Sequence, residues 1–145
     1  MLTARRLSCF LLVAFHTIGH AASIEGDWEY IGKTLDAVYG EPESLHLAIR
    51  IDGKTLCGSY MSAYRGGMKV VEGTFQGKIT GNKAAVVYVA DSAEPRSTGK
   101  ATLRLIGSQL DWVVTQKAPE SEYVIQAAVL HRASARLERP KPCEK

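Results

Sequence analysis

Between Lys54 and Arg132 one pattern repeats. A short run of β-branched and aromatic residues ends in Gly, Asn, Asp, Ser or Pro, and a new run begins. The runs are TLCGSYMSAY, MKVVEGTFQGKIT, KAAVVYVA, KATLRLIG, LDWVVTQK and EYVIQAAVLHR. Such runs, bounded by turn residues, are the signature of strands joined by hairpins. Two more precede them. Ile24–Ile31 reads as strand one. Leu45–Ile51 is strand two, with Leu45, Leu47, Ile49 and Ile51 on one face and His46, Ala48 and Arg50 on the other. A period of two marks a half-buried strand.

The remaining strands are expected over Leu56–Tyr64, Met68–Thr80, Ala84–Ala90, Lys100–Ile106, Leu110–Lys117 and Tyr123–Arg132. Asp52-Gly53, Gly81-Asn82 and Gly107-Ser108 are tight-turn signals, since Gly accepts positive φ without steric cost. Gly73 and Gly77 inside strand four predict a bulge or sharp coiling. No segment shows a helical period. Eight strands in local hairpins form an antiparallel meander. Left open, it would expose two edges; closing into an up-and-down barrel removes them. The expected fold is therefore all-β, an eight-stranded antiparallel barrel, with a two-sheet sandwich as its rival.

Alternate connections of a meander lie at opposite ends. The three tight turns close one end. The connections around Lys33–Ser44, Tyr64–Gly67, Asp91–Gly99 and Ala118–Glu122 form a rim at the other. Function on such scaffolds usually sits on loops held by a rigid frame.

The N-terminus predicts export. MLTARR is basic, LSCFLLVAFHTIG is apolar, and HAAS supplies small residues, so residues 1–22 read as a secretory signal peptide. The run is shorter than the about 20 apolar residues a membrane span needs. The barrel domain is then expected over 23–132 and an extended tail over 133–145, in the periplasm or outside the cell. Cleavage removes Arg5 and Arg6 and no acid, so the net charge of +3 drops by two, to +1. A nearly neutral chain lacks the concentrated basic charge of a nucleic-acid binder. Two cysteines remain, Cys57 and Cys143. In an oxidising compartment they are most simply one disulfide, which ties the tail across the barrel base.

Strand one carries Gly26-Asp27-Trp28, a G-x-W, and the last strand ends in Arg132. On the meander both lie at the tight-turn end. Over Ile24–Arg132 this resembles the calycin pattern of lipocalins and avidins. There a Trp of the first strand packs under an Arg or Lys of the last and plugs the closed end. The resemblance implies that role for Trp28 and Arg132. Gly58-Ser59-Tyr60 is similar to the G-T-Y of avidins, but Trp28 and Trp112 are too few for a biotin box, so biotin is not implied. The further lipocalin loop motif is missing. The chain also resembles small exported barrel proteins of Gram-negative bacteria, some of which act as inhibitors or immunity proteins.

Catalysis needs convergent titratable groups. The histidines of the mature chain, His46 and His131, sit on a polar strand face and near the closed end. The pairs Glu41/Glu43 and Glu120/Glu122 lie on Pro-containing loops and read as solvating groups. Neither G-x-S-x-G nor H-E-x-x-H occurs, nor a Cys/His set with metal-ligand spacing. No enzyme, cofactor or metal is expected. Binding is. A protein partner on the loop rim would meet Tyr39, Tyr64, Arg65 and Arg96, residue types enriched at interface hot spots. The alternative is a small apolar ligand inside the barrel, as in lipocalins. Val71, Phe75, Ile79, Val86, Tyr88, Leu103, Leu105, Trp112 and Val114 should nearly fill that interior, which favours the protein partner.

Overall fold

The computed structural model describes residues 23–33, 43–64, 69–91, 96–119, 123–135 and 143. Eight strands follow one another: β1 Gly26–Ile31, β2 Ser44–Asp52, β3 Thr55–Tyr64, β4 Lys69–Thr80, β5 Lys83–Ala90, β6 Ser97–Ile106, β7 Gln109–Gln116 and β8 Ala127–Arg132. Each pairs antiparallel with the next, and β8 returns to β1, so the meander closes into a barrel and the sandwich is excluded. The closing seam is short, with Trp28 opposite Arg132 and Glu29 opposite His131. The Ala133 N–H extends it by donating to the Asp27 carbonyl at 3.0 Å.

The tight turns close one end as expected, with Gly53, Gly81 and Gly107 all at a φ of 60°. The first lies one residue later than the sequence suggests. Asp52 still pairs with Thr55, so Gly53-Lys54 makes the turn. Ser97 and Gly99 continue the inward alternation of β6, which therefore starts three residues before Lys100. Ile24 is buried but precedes the first strand. The β6–β7 register shifts between Lys100 and Ala101 because β7 carries an extra residue there.

The alternating inward residues of the strands make one core, with Trp28, Leu45, Leu47, Leu56, Tyr88, Leu103, Leu110, Trp112 and Leu130 at its most enclosed positions. Fully burying a side chain of this kind contributes roughly 1.5–3 kcal/mol. Of the expected interior residues, Ile79 and Val114 are only partly buried but pack against this core.

Inside the wall, glycines face aromatic residues. Phe75 lies across from Gly58, Tyr60 from Gly73, and Tyr88 from Gly99. A Cβ at each of these glycines would run into the facing ring. The rings lean across their neighbouring strands and meet in the middle. Tyr60 and Tyr88 pack edge to face at 5.9 Å, and Trp112 lies 6.1 Å from both Phe75 and Tyr88.

The largest departure from the sequence reading is at the last strand. Tyr123–Gln126, expected to open it, do not pair as a strand. They turn inward over the barrel mouth, and Val124 and Ile125 are both buried.

Candidate functional site

The two ends of the barrel are built differently. At the tight-turn end, Arg132 places its guanidinium 3.9 Å from the centre of the Trp28 ring. It donates to the backbone carbonyls of Glu25, at 2.6 Å, and Ser23. The Trp28 indole N–H donates to the Ile24 carbonyl at 2.8 Å. Arg132 thus holds residues 23–25 over the end of the barrel, and Trp28 seals it from below. A cation over an indole face is the strongest of the cation–π pairings. Burial lowers the Arg132 pKa, and Asp27 opposes that shift. Gly26 completes the arrangement: its φ is 120°, and a Cβ there would lie 2.5 Å from Arg132 Nη1. Both residues of the G-x-W are therefore accounted for, one by the space Arg132 takes and one by the ring it covers.

The cysteines form the expected bond, Cys57 to Cys143, with Cα atoms 5.4 Å apart. Its position differs from expectation. Leu56, Gly58 and Tyr60 face the interior, so Cys57 faces outward. The bond holds Cys143 to the outer wall of β3 near the closed end, and residues 136–142 of the expected tail lie outside the described residues. Cys57 is nonetheless only 4% exposed, and Ala48, on the same outer face of β2, 3%.

At the loop end, the β7–β8 connection is tied into the mouth. The Tyr88 hydroxyl accepts the Ala118 N–H at 3.1 Å. The Ser62 hydroxyl, fully buried, accepts the Ile125 N–H at 3.2 Å and donates to the Tyr123 carbonyl at 3.0 Å. The Trp112 indole donates to the Ile125 carbonyl at 2.9 Å. The Tyr60 hydroxyl reaches over Gly73 and donates to the Val89 carbonyl at 3.3 Å. Burial pushes the Tyr60 phenol far above its ordinary value, and Tyr88 and Asp91 add to the rise.

These anchors leave an aromatic and cationic group on the rim. Tyr64, the last residue of β3, lies with its ring 6.1 Å from that of Tyr123. Lys69, directly across from Tyr64, sets its Nζ 5.5 Å from the Tyr123 ring. Of the four rim residues expected from the sequence, Tyr64 belongs to this group. Arg96 is exposed just before β6, on a different connection. Tyr39 and Arg65 lie outside the described residues. Tyr123 and Lys69 were not expected. Tyr123 has no local signal: its segment is placed by the hydrogen bonds that Ser62 and Trp112 make to its backbone.

His46 and His131 lie on the outer face, in register on either side of Glu29. Among the described residues, no group of three or more His, Cys, Asp and Glu side chains could hold a metal ion. None of the described residues forms a helix long and apolar enough to cross a membrane. Comparison with family models, with curated proteins and with solved structures gave no match.

Proposed function

We propose that this protein is an exported, calycin-like binding protein without catalytic activity, and that it holds a protein partner at its loop rim as an inhibitor or immunity-type protein does. The observation that carries the proposal is the anchored rim. Hydrogen bonds between the side chains of Ser62, Tyr88 and Trp112 and its backbone pin the β7–β8 connection. That pinning holds Tyr123 beside Tyr64 and Lys69 before any partner arrives. A surface that is already ordered loses less entropy on binding, and tyrosine is a favoured anchor at interfaces. The interior favours this reading over an apolar-ligand carrier. Tyr60, Phe75, Tyr88 and Trp112 meet where a carried ligand would sit. Export rests on the signal-peptide pattern, and the disulfide suits an oxidising compartment.

The test is affinity capture with the mature protein, followed by mass spectrometry of what co-purifies. A co-eluting protein supports the reading, and a lipid or small molecule supports the carrier. Once a partner is in hand, Arg65→Ala and Arg96→Ala should weaken its capture with no change in melting temperature. If Trp28→Ala melts like the wild type yet loses the partner, the tight-turn end is the functional one.

A further inference from the structure

The outer wall of β4–β6 breaks a pairing rule. Lys83 and Arg104 are directly opposite each other on adjacent strands. Both face outward and are exposed. Like charges directly opposite are destabilising. Lys78 lies across from Ala85, and Lys100 across from Val87, so two more exposed cations flank the pair. Ala85 and Thr102, opposite each other, make a small uncharged floor between the four.

Counter-charge is scarce. The outward residues of β4–β6 include one carboxylate, Glu72, well toward the loop end. Asp111 of β7 is opposite Arg104, yet no described carboxylate forms an ion pair with any of the four cations. On a chain whose net charge falls to +1 after cleavage, this is a local concentration of charge. The same wall also exposes aliphatic side chains: Val87, Ile106 and Val113 are each between 43% and 47% exposed. Thr102 is directly opposite Val113, so the surface continues onto the adjacent strand β7.

We infer that this wall docks on an anionic lipid surface. Three of the four cations are lysines, which are depleted at protein–protein interfaces. Lysine stems instead lie along apolar surface while their ammonium groups reach out to charge, and interleaved valines and isoleucine suit the headgroup boundary better than an all-polar polyanion. The like-charge pair costs stability in the free protein, and a negative surface relieves it. This face is separate from the rim, so the inference does not depend on the protein partner proposed above.

The experiment is co-sedimentation of the mature, oxidised protein with vesicles at low ionic strength. One set is pure phosphatidylcholine, and the other has one-third phosphatidylglycerol. Binding is expected only to the second set and should fall as salt is raised. Each cation near such a surface is worth roughly a fivefold change in partitioning. The double variant K83A/R104A should therefore bind about 25-fold more weakly, while melting no lower than the wild type. The charge-preserving pair K83R/R104K should bind like the wild type, as should Arg50→Ala, whose side chain is exposed on the outer face of β2, round the barrel from β5 and β6. Equal binding to both vesicle sets overturns the inference, as does unchanged binding by K83A/R104A. Binding to soluble poly-L-glutamate but to neither vesicle set also overturns it, and assigns the wall to an acidic protein.

Discussion

Tyr88 and Gly99 lie directly opposite each other on β5 and β6, and the phenol ring occupies the space where a Gly99 side chain would be. From there the Tyr88 hydroxyl reaches the Ala118 N–H and ties down one root of the β7–β8 connection. The empty side of a glycine thus decides how a rim segment is held.

This pair makes a direct prediction. Gly99→Ala should push Tyr88 out of place, and overpacking of this kind costs about 1–3 kcal/mol. Tyr88→Phe keeps the ring but leaves the buried Ala118 N–H without its acceptor, a loss of about 1–3 kcal/mol. Because both changes act through one contact, the double variant should lose less than the two singles summed. Denaturant melts of all four proteins measure the coupling; strict additivity would show that the two residues act independently.

The closed end should be the costliest place to mutate. Trp28→Ala removes the ring under Arg132, and losses of this size in a core run to about 3–5 kcal/mol. Arg132→Lys keeps the charge but not the fork that reaches two carbonyls at once. It should destabilise less than Trp28→Ala but measurably, and it should free residues 23–25. Gly26→Ala should destabilise more than the arginine variant, since its methyl group displaces the guanidinium and a φ of 120° strains an alanine backbone. Thermal melts rank the three, and hydrogen exchange at Glu25–Trp28 reports whether the lead-in has opened.

The staple between Cys57 and Cys143 closes a separation of 86 residues. The chain-entropy account gives roughly 4–5 kcal/mol for a loop of that length. Reduction, or the pair Cys57→Ser and Cys143→Ser, should lower the melting temperature sharply while leaving the strand signal in circular dichroism intact. Peptide mapping without reductant should return the two cysteines in one linked fragment.

High pH should weaken the fold through Tyr60. Its phenol is raised above the ordinary 10.0 by burial first, with Tyr88 and Asp91 adding to it. The folded protein therefore holds this proton where the unfolded chain releases it. The stabilisation is complete below pH 10 and declines as pH rises above it. Tyr60→Phe should be less stable at neutral pH, having lost the bond to Val89, but should lose less stability between pH 9 and pH 11. Denaturant titrations across that range provide the comparison. Equal slopes for the two proteins would remove Tyr60 from the account.

How the barrel closes was legible residue by residue. Leu45, Leu47 and Ile49 alternate in the sequence and in the wall, because a strand has a period of two whatever surrounds it. Gly81-Asn82 and Gly107-Ser108 turn where glycine permits a positive φ, and eight consecutive strands leave edges that only closure removes. Cys57 and Cys143 were the pairing expected from the sequence once residues 1–22 were read as a signal peptide, and they form the bond. The outward direction of Cys57 was also there to be read, in its offset of one from Leu56 and Gly58. Other features depend on groups distant in the chain and carry no local signal. Gly26 is needed because Arg132, 106 residues later, fills the space beside it. Gly73 reads in the sequence as a bulge or sharp coil and Gly99 as the end of a loop, and only the register sets Tyr60 and Tyr88 across from them, as it sets Phe75 across from Gly58. Tyr123–Gln126 has the composition of a strand, yet Ser62 and Trp112 offer its backbone hydrogen bonds inside the mouth, and burial of Val124 and Ile125 there outweighs pairing at the edge. Local periodicity determined which segments are strands; the register of the closed wall decided which side chains meet.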